Sequence, residues 1–264
     1  INSVVGFDYP QKYLDKLNQY EISVEGIKRI DNWSLRLWLL HEENNKKQQF
    51  PKLQSSSFDL LDKERGDPPP SYIDAQGFHI ATGTPEGQMR SRDFIRRKKP
   101  NAIISLDILT ENFINLELYR NGQALQDIDI FSPSIVELEA LWPNWKIDDV
   151  IKVVTDFGIR WFAIKMDARG SIVVDPLNNL RYQIPIYPAN PVDTTGAGDA
   201  YSGGFLEGIV ETGDLLEAGL RGTISASFAI EQFGALGLLS LSRDDAMERL
   251  SFLKSKWKEK SEEG

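Results

Sequence analysis

The sequence predicts an α/β fold in which a doubly wound, mostly parallel sheet carries helices on both faces. The main observation is that short apolar runs alternate with segments of helical periodicity from residue 77 onward. A second is that 264 residues with 41% hydrophobic side chains can bury one large core. No internal repeat and no clear linker divides the chain, so residues 1–264 are predicted to form a single domain.

The composition argues against several classes of function. The formal net charge is −9, whereas a nucleic-acid or anionic membrane surface normally needs a basic footprint. The chain has no Cys, so disulfides and thiolate metal sites are excluded and a reducing, cytoplasmic setting is expected. No apolar run approaches the roughly 18 residues of a transmembrane helix, and no signal peptide is recognisable.

In the N-terminal part, the sequence predicts a strand at 3–7 and a helix at 10–20, where Pro10 suits a first helical turn. Residues of about 26–50 are rich in strand-forming side chains, and both faces of this stretch are too apolar for plain solvent. It therefore predicts a small β lid that covers a site or pairs with a second subunit in a homodimer. Residues 51–75 are predicted to form a loop with one helical turn near Phe58.

From Gly77 the alternation becomes regular. The predicted strands are 78–81, 102–106, 128–131, 161–166, 171–174 and 180–184, and the predicted helices are 85–98, 111–125, 133–142, 147–157, 200–211, 214–231 and 243–260. Strand 171–174 should pair with 161–166. In such a sheet, ligands bind beyond the carboxyl ends of the strands, where polar side chains gather in this sequence. They are Asp107, Ser132, Ser134, Lys165, Asp167 and the loop 193–199.

The most informative stretch runs from Pro191 to Phe205 and reads PVDTTGAGDAYSGGF. Gly196 and Gly198 allow a tight turn directly before a helix, whose free N–H groups and dipole favour an anion. An acid, Asp199, lies in the same first turn. This combination suggests a proton-accepting carboxylate beside an anion hole formed by Gly196, Ala197 and Gly198. The plainer interpretation is a tight turn with Asp199 as a helix cap.

The string from Asp193 to Leu206 resembles the C-terminal signature of the PfkB/ribokinase family of small-molecule kinases. That signature is Asp-Thr-x-Gly-Ala-Gly-Asp, followed by an aromatic residue and Gly-Gly-Phe. The resemblance implies a ribokinase-like fold, ATP and Mg²⁺ as cofactors, and a sugar or nucleoside-like small molecule as phosphoryl acceptor. Asp199 would be the general base, and Thr194 and Thr195 would contact the nucleotide.

Two further segments resemble motifs of the same family. Ser134 to Glu137 resembles its Asn-x-x-Glu motif, with Ser134 in place of the Asn, which implies that Glu137 helps organise Mg²⁺. Alternatively, Glu137 is an early-helix acid that stabilises the helix dipole. Lys165 to Gly170 resembles Lys-x-Gly-x-x-Gly, with Asp167 in place of a Gly. Lys165 would then touch a phosphate, or it is a strand-end lysine in solvent.

Weaker signals in the sequence concern the helix that would line the adenine pocket and two isolated residues, Asp107 and His79. The small-residue helix containing Thr223 and Ser227 resembles the wall of the adenine pocket, although small residues also serve ordinary helix packing. Asp107 resembles the Asp of a family Asp-x-Asn-x-Arg strand end, but Leu109 and Thr110 do not continue that pattern. His79 lies within a strand and is interpreted as a packing residue with its hydrogen bonds satisfied.

The resemblance is strong over 128–240, plausible over 77–127 and faint over 1–50. Residues 128–142 and the segment Glu231–Gly234 resemble a divergent fungal branch of the family, the maintenance-of-killer type. The family's N-terminal substrate-binding segment is not visible, so the acceptor stays open. An alternative function is a non-catalytic protein of this fold that binds nucleotide or a partner. A dinucleotide-binding oxidoreductase is disfavoured, because no first-strand Gly-x-Gly-x-x-Gly exists.

Overall fold

A computed structural model describes residues 1–41, 47–111, 113–144 and 146–262. The strands are β1 (Asn2–Gly6), β2 (Gly26–Ile30), β3 (Leu37–His41), β4 (Lys47–Pro51), β5 (Gly77–Ile80), β6 (Ile103–Leu106), β7 (Ile130–Phe131), β8 (Trp161–Lys165), β9 (Ser171–Asp175) and β10 (Leu180–Ile184). The α-helices are α1 (Gln11–Gln19), α2 (Phe58–Glu64), α3 (Pro85–Lys98), α4 (Glu117–Arg120), α5 (Ile135–Leu141), α6 (Ile147–Asp156), α7 (Ala197–Thr212), α8 (Leu215–Ala229) and α9 (Arg243–Glu262).

The chain divides into two compact units. The first comprises Ile1–Ala75, Thr82–Pro100 and Leu109–Leu116, and the second comprises Gln76–Ala81, Asn101–Ile108 and Glu117–Gly264. Across the described ranges, no helix is long and apolar enough to cross a bilayer.

The first unit contains two separate two-stranded sheets. Strands β1 and β2 pair in parallel, whereas β3 and β4 form an antiparallel hairpin. The stretch 26–50 thus contributes to both sheets, and only the hairpin resembles the predicted lid. Residues 42–46 of that prediction lie outside the described residues. Trp38 and Phe50 are register partners on the hairpin and are 63% and 48% exposed, so an apolar face is left on its surface.

The second unit contains a six-stranded sheet in the order β10-β9-β8-β7-β6-β5. Strands β5 to β8 run parallel, and β9 and β10 continue the sheet antiparallel. The prediction of a doubly wound, mostly parallel sheet is confirmed, as is the hairpin between β8 and β9. Strands β6 to β9 of this sheet are short and consist mostly of buried apolar residues, whereas the edge strand β10 is largely exposed.

Close packing of α7 and α8 covers one face of this sheet. A Cβ atom at Gly204 would lie 2.3 Å from Ser225 Oγ, and one at Gly208 would lie 2.6 Å from Ala218 Cα. The glycines therefore let the two helix backbones approach. On α7, Phe205 is fully buried in the core cluster that this face shares with Ile130 of β7. This packing fixes the start of α7 over the carboxyl ends of the strands.

The helix predicted over 111–125 is wrong for most of its length. Only Glu117–Arg120 is helical, and Asn112 lies outside the described residues. Gly122 adopts φ +82°, and a Cβ there would lie 2.6 Å from the Phe157 ring. Because a left-handed glycine ends a helix, the apolar periodicity of this stretch reflects a buried loop.

Candidate active site

The glycine-rich loop joins β10 to α7 and is held by backbone bonds. Gly196 lies at φ +82° with open space around its Cβ position, so its backbone conformation alone requires glycine. The N–H of Thr195 donates to Asp193 Oδ1 at 2.9 Å. The N–H groups of Val192 and Asp193 donate to the carbonyl of Ile230 at the end of α8. The loop is therefore fastened at its base to the helix pair.

Asp199 stands exposed in the first turn of α7. Gly196, Thr194 and Thr195 are also exposed, while Ala197 and Gly198 are half-buried. The first N–H groups of a helix have no acceptor within the helix itself. A Cβ at Gly198 would lie 3.3 Å from Lys165 Nζ, so an ammonium group lies directly beside the loop. The exposed carboxylate of Asp199, the N-terminus of α7 and the ammonium group of Lys165 therefore lie close together.

Lys165 is anchored by a buried ion pair. Its Nζ donates to Asp107 Oδ2 at 2.5 Å, and the two side chains are only 13% and 5% exposed. The hydroxyl of Ser202 on α7 also donates to Asp107 Oδ2 at 3.3 Å, and Ser132 lies 2.9 Å from Ser202 between their hydroxyl oxygens. The alternative of a strand-end lysine in solvent is therefore wrong. Asp107, a weak match by motif, is the residue that holds Lys165 in place.

Glu137 forms a capping box with Ser134 at the start of α5. The N–H of Ser134 donates to Glu137 Oε2 at 2.6 Å, and the N–H of Glu137 donates to Ser134 Oγ at 3.2 Å. Burial, followed by the charge of Asp107, raises the pKa of Glu137, while Lys165 opposes that rise. Ser134 thus caps the N-terminus of α5, and Glu137 lies close enough to the Asp107–Lys165 pair to be affected by both charges.

The turn after β8 keeps its shape although Asp167 occupies a usual glycine position. Asp167 adopts φ +51°, and Asp is one of the few non-glycine residues that enters the left-handed region. Gly170 adopts φ +85°, and a Cβ there would lie 2.0 Å from the carbonyl oxygen of Ile184. The N–H of Met166 donates to the carbonyl of Gly170 at 2.8 Å and closes the turn.

Thr223 and Ser227 do not reach this cluster. Both are buried on α8, 7% and 4% exposed. The hydroxyl of Ser227 donates to the carbonyl of Ile224 at 2.7 Å and accepts from Arg249 Nη1 at 2.8 Å. The Arg249 guanidinium also pairs with Glu231 at 2.5 Å. The Ser227 hydroxyl therefore bonds within α8 and to α9, and a place for Thr223 and Ser227 in the wall of an adenine pocket stays a prediction.

His79 joins the cluster from β5, which its interpretation as a packing residue with satisfied hydrogen bonds did not anticipate. Its Nδ1 lies 3.2 Å from Ser105 Oγ on β6. Its Nε2 is buried and has no hydrogen-bond partner among the residues described. The only sequence signal was its position next to the last residue of a strand. Within the described ranges, no group of three or more His, Asp or Glu residues could hold a metal ion.

Comparison with protein families matches residues 105–240 to the pfkB family carbohydrate kinases, which is 136 of the 264 residues. A cytidine kinase of Thermococcus kodakarensis is 22% identical over 231 residues, covering 87% of this chain and 80% of that relative. A ribokinase of Lactococcus lactis is 29% identical over 132 residues, covering 50% of this chain but only 39% of that relative. The matched segment thus spans well under half of the ribokinase.

Solved structures share the fold. A ribokinase of Arabidopsis thaliana, whose structure is complexed with ribose and ATP, superposes with a TM-score of 0.71 at 17% sequence identity. The superposition covers 94% of this chain and 80% of the ribokinase. At this identity the likeness establishes a common fold.

Proposed function

Because this chain belongs to the pfkB family of carbohydrate kinases, we propose that it transfers the terminal phosphoryl group of ATP to a hydroxyl of a sugar or a nucleoside. The observation that carries the proposal is the meeting of Asp199, the start of α7 and Lys165 at one place. The acceptor class follows the relatives, which include a cytidine kinase and a ribokinase.

In the proposed reaction, Asp199 accepts the proton of the acceptor hydroxyl as that oxygen attacks the terminal phosphorus atom of ATP, and ADP leaves with the bridging oxygen as its bond to that phosphorus breaks. Its exposure in the first turn of α7 leaves its carboxylate accessible to a substrate. The backbone N–H groups of Gly196, Ala197 and Gly198 stabilise the negative charge of the transferred group. Lys165, held by Asp107 beside Gly198, adds a fixed positive charge to the same place.

The remaining residues of the site are proposed to bind the nucleotide and its metal. ATP supplies the phosphoryl group, and Mg²⁺ neutralises its charge. Glu137 suits a role in holding Mg²⁺, because a carboxylate with a raised pKa gains from a nearby cation. Thr194 and Thr195 contact phosphate oxygens, and the turn closed by Gly170 borders the nucleotide. Helix α8, with Thr223 and Ser227, supports that wall through packing.

Two of the departures from the family motifs, those at Ser134 and Asp167, leave a capped helix and a closed turn, which favours the catalytic hypothesis over a non-catalytic one. Ser134 caps α5 and positions Glu137, and Asp167 adopts a left-handed conformation in the turn after β8. A protein that only bound nucleotide would not need the acid at Asp199.

The test is ATP consumption against cytidine, inosine, ribose, fructose and 2-dehydro-3-deoxygluconate. We expect turnover with at least one of these acceptors. Asp199→Asn should lower kcat by about 10²–10⁴-fold, the typical contribution of a general base, while ATP binding measured by calorimetry stays within about twofold of wild type. Asp156→Asn removes an exposed carboxylate at the end of α6 and should change neither value. ATP binding without turnover of any acceptor would favour the non-catalytic function.

A further inference from the structure

His79 occupies a defined position on the sheet of the second unit. It is the register partner of Ser105, which precedes Asp107 by two residues on β6. Paired residues and residues two apart share a face of a sheet. His79, Ser105 and Asp107 therefore lie on one face, the face on which Asp107 meets Ser202 of α7.

The imidazole is held at one nitrogen and unpaired at the other. Nδ1 lies 3.2 Å from Ser105 Oγ, which fixes the ring. Nε2 is buried, and no residue of the described ranges is within hydrogen-bonding distance of it. Buried polar atoms are almost always hydrogen-bonded, so an unpaired one indicates a partner supplied from outside the chain. The residue as a whole is only partly buried, although Nε2 itself is buried.

The charges that act on this imidazole are those of the proposed transfer site. They belong to Asp107 directly after β6, Lys165 at the end of β8 and Asp199 in α7. Burial is the largest effect and lowers the pKa of His79, so the ring is neutral at neutral pH. A neutral imidazole offers one donor and one acceptor, and a hydroxyl group can bond to either.

The order of the strands in the sheet places the proposed nucleotide site and His79 at different strands. The turn that ends at Gly170, proposed to border the nucleotide, follows β8, whereas His79 lies on β5 at the other edge of this sheet. Asp107 directly follows β6, which lies between β8 and β5 in the sheet. A molecule that reaches both Asp199 and His79 is therefore on the side away from the nucleotide turn.

We propose that His79 binds the phosphoryl acceptor, with Nε2 hydrogen-bonded to an acceptor hydroxyl next to the one that Asp199 deprotonates. This inference rests on the proposed function and extends it, because it identifies an acceptor-binding residue in a chain whose acceptor motifs were not visible. His79 contributes to acceptor affinity and leaves the nucleotide unaffected.

Two substitutions separate the roles of the ring nitrogens. The amide nitrogen of His79→Asn falls near Nδ1 and can keep the bond to Ser105, whereas that of His79→Gln falls near Nε2. Loss of one hydrogen bond to a hydroxyl corresponds to about a tenfold rise in acceptor KM. We expect this rise in His79→Asn, a recovery of most of it in His79→Gln, and an ATP KM within about twofold of wild type in both.

A second measurement does not depend on turnover. The chain contains only 2 histidines, so the His41→Gln variant leaves a single imidazole, that of His79, for nuclear magnetic resonance. Its Nε2 signal should shift when an accepted substrate from the panel is added to the Asp199→Asn protein without nucleotide. A non-hydrolysable ATP analogue alone should leave it unmoved.

The outcomes distinguish this inference from the proposed function. Turnover of an acceptor with an unchanged acceptor KM in His79→Asn, or an Nε2 signal that responds only to the ATP analogue, overturns the role of His79 and leaves the kinase function intact. Absence of turnover with the whole panel counts against the kinase function. In that case an Nε2 shift with cytidine or ribose still supports acceptor binding by His79, and no shift with any panel member overturns it.

Discussion

Replacing Lys165 by Met tests whether the ion pair beneath the glycine loop holds the site together. Lys165 and Asp107 are 13% and 5% exposed and lie 2.5 Å apart between Nζ and Oδ2. Methionine fills a similar space, so the main effect is an unpaired carboxylate in a buried position. Removing one partner of such a pair costs about 3–5 kcal/mol. Asp107 keeps two donors, the hydroxyl of Ser202 and the N–H of Ile108, which places the expected loss at the lower end, about 3 kcal/mol.

Thermal and urea unfolding followed by circular dichroism measure this loss. For domains of 150–250 residues, 1 kcal/mol shifts Tm by about 2–4 °C, so the expected shift is about 6–12 °C. The double variant Asp107→Asn/Lys165→Met removes both charges of the pair and should recover at least half of the lost free energy of unfolding. ATP affinity should stay low in both variants, because the ammonium beside Gly198 is absent in both.

Two results would refute this reasoning. One is a Lys165→Met protein whose free energy of unfolding differs from wild type by less than about 1 kcal/mol, the value of a solvent-exposed pair. The other is a double variant in which the two single losses simply add, because coupled partners must deviate from additivity.

Other predictions concern Glu137, Gly170 and the hairpin of the first unit. The pKa of Glu137 is raised in the folded protein, so the protonated Glu137 side chain stabilises the fold fully below about pH 4.5. This stabilisation is lost as the pH rises through the raised pKa. Glu137→Gln should flatten this part of the curve of stability against pH, whereas Glu139→Gln, a control at an exposed position, should leave it unchanged. Gly170→Ala places a Cβ 2.0 Å from a carbonyl oxygen at φ +85° and should lower the free energy of unfolding by at least about 2 kcal/mol, whereas Gly66→Ala, with open space around it, should change it by less than about 1 kcal/mol. Trp38→Glu puts a charge on the exposed hairpin face; if the hairpin joins two copies, sedimentation should show a wild-type dimer and a variant monomer, and equal masses would exclude this interface.

The elements of the second unit were predictable because their signals are local. Strands β5 to β9 are short, mostly apolar runs ended by polar residues or by Gly and Pro, and such runs between amphipathic segments favour a parallel sheet. The failure over 111–125 has an equally local cause that periodicity does not record. Gly122 takes a left-handed backbone conformation against the ring of Phe157, and the apolar side chains around it fill a loop.

The motif departures show where residue identity is a poor guide to geometry. Asp167 and Ser134 differ in residue type from the family motifs. Asp167 nevertheless adopts a left-handed turn conformation, and Ser134 caps a helix. On α8, the Ser227 hydroxyl bonds to Ile224 and Arg249, and the role of the small residues there as a wall of the adenine pocket stays a prediction. Backbone conformation decided the case of Asp167, and hydrogen-bond partners decided that of Ser134.

The sequence by itself determined that a glycine turn leads into α7 with Asp199 in its first turn, because both features depend on residues adjacent in the chain, although the helix begins at Ala197 and not at the predicted Ala200. Only the tertiary structure decided what surrounds that acid. Lys165 meets Asp107 across 58 residues, and Ser202 meets Asp107 across 95. His79 joins them because β5 and β6 pair in register. Contacts of this kind depend on strand order and on the position of α7 across the sheet, and no local pattern of side chains encodes them.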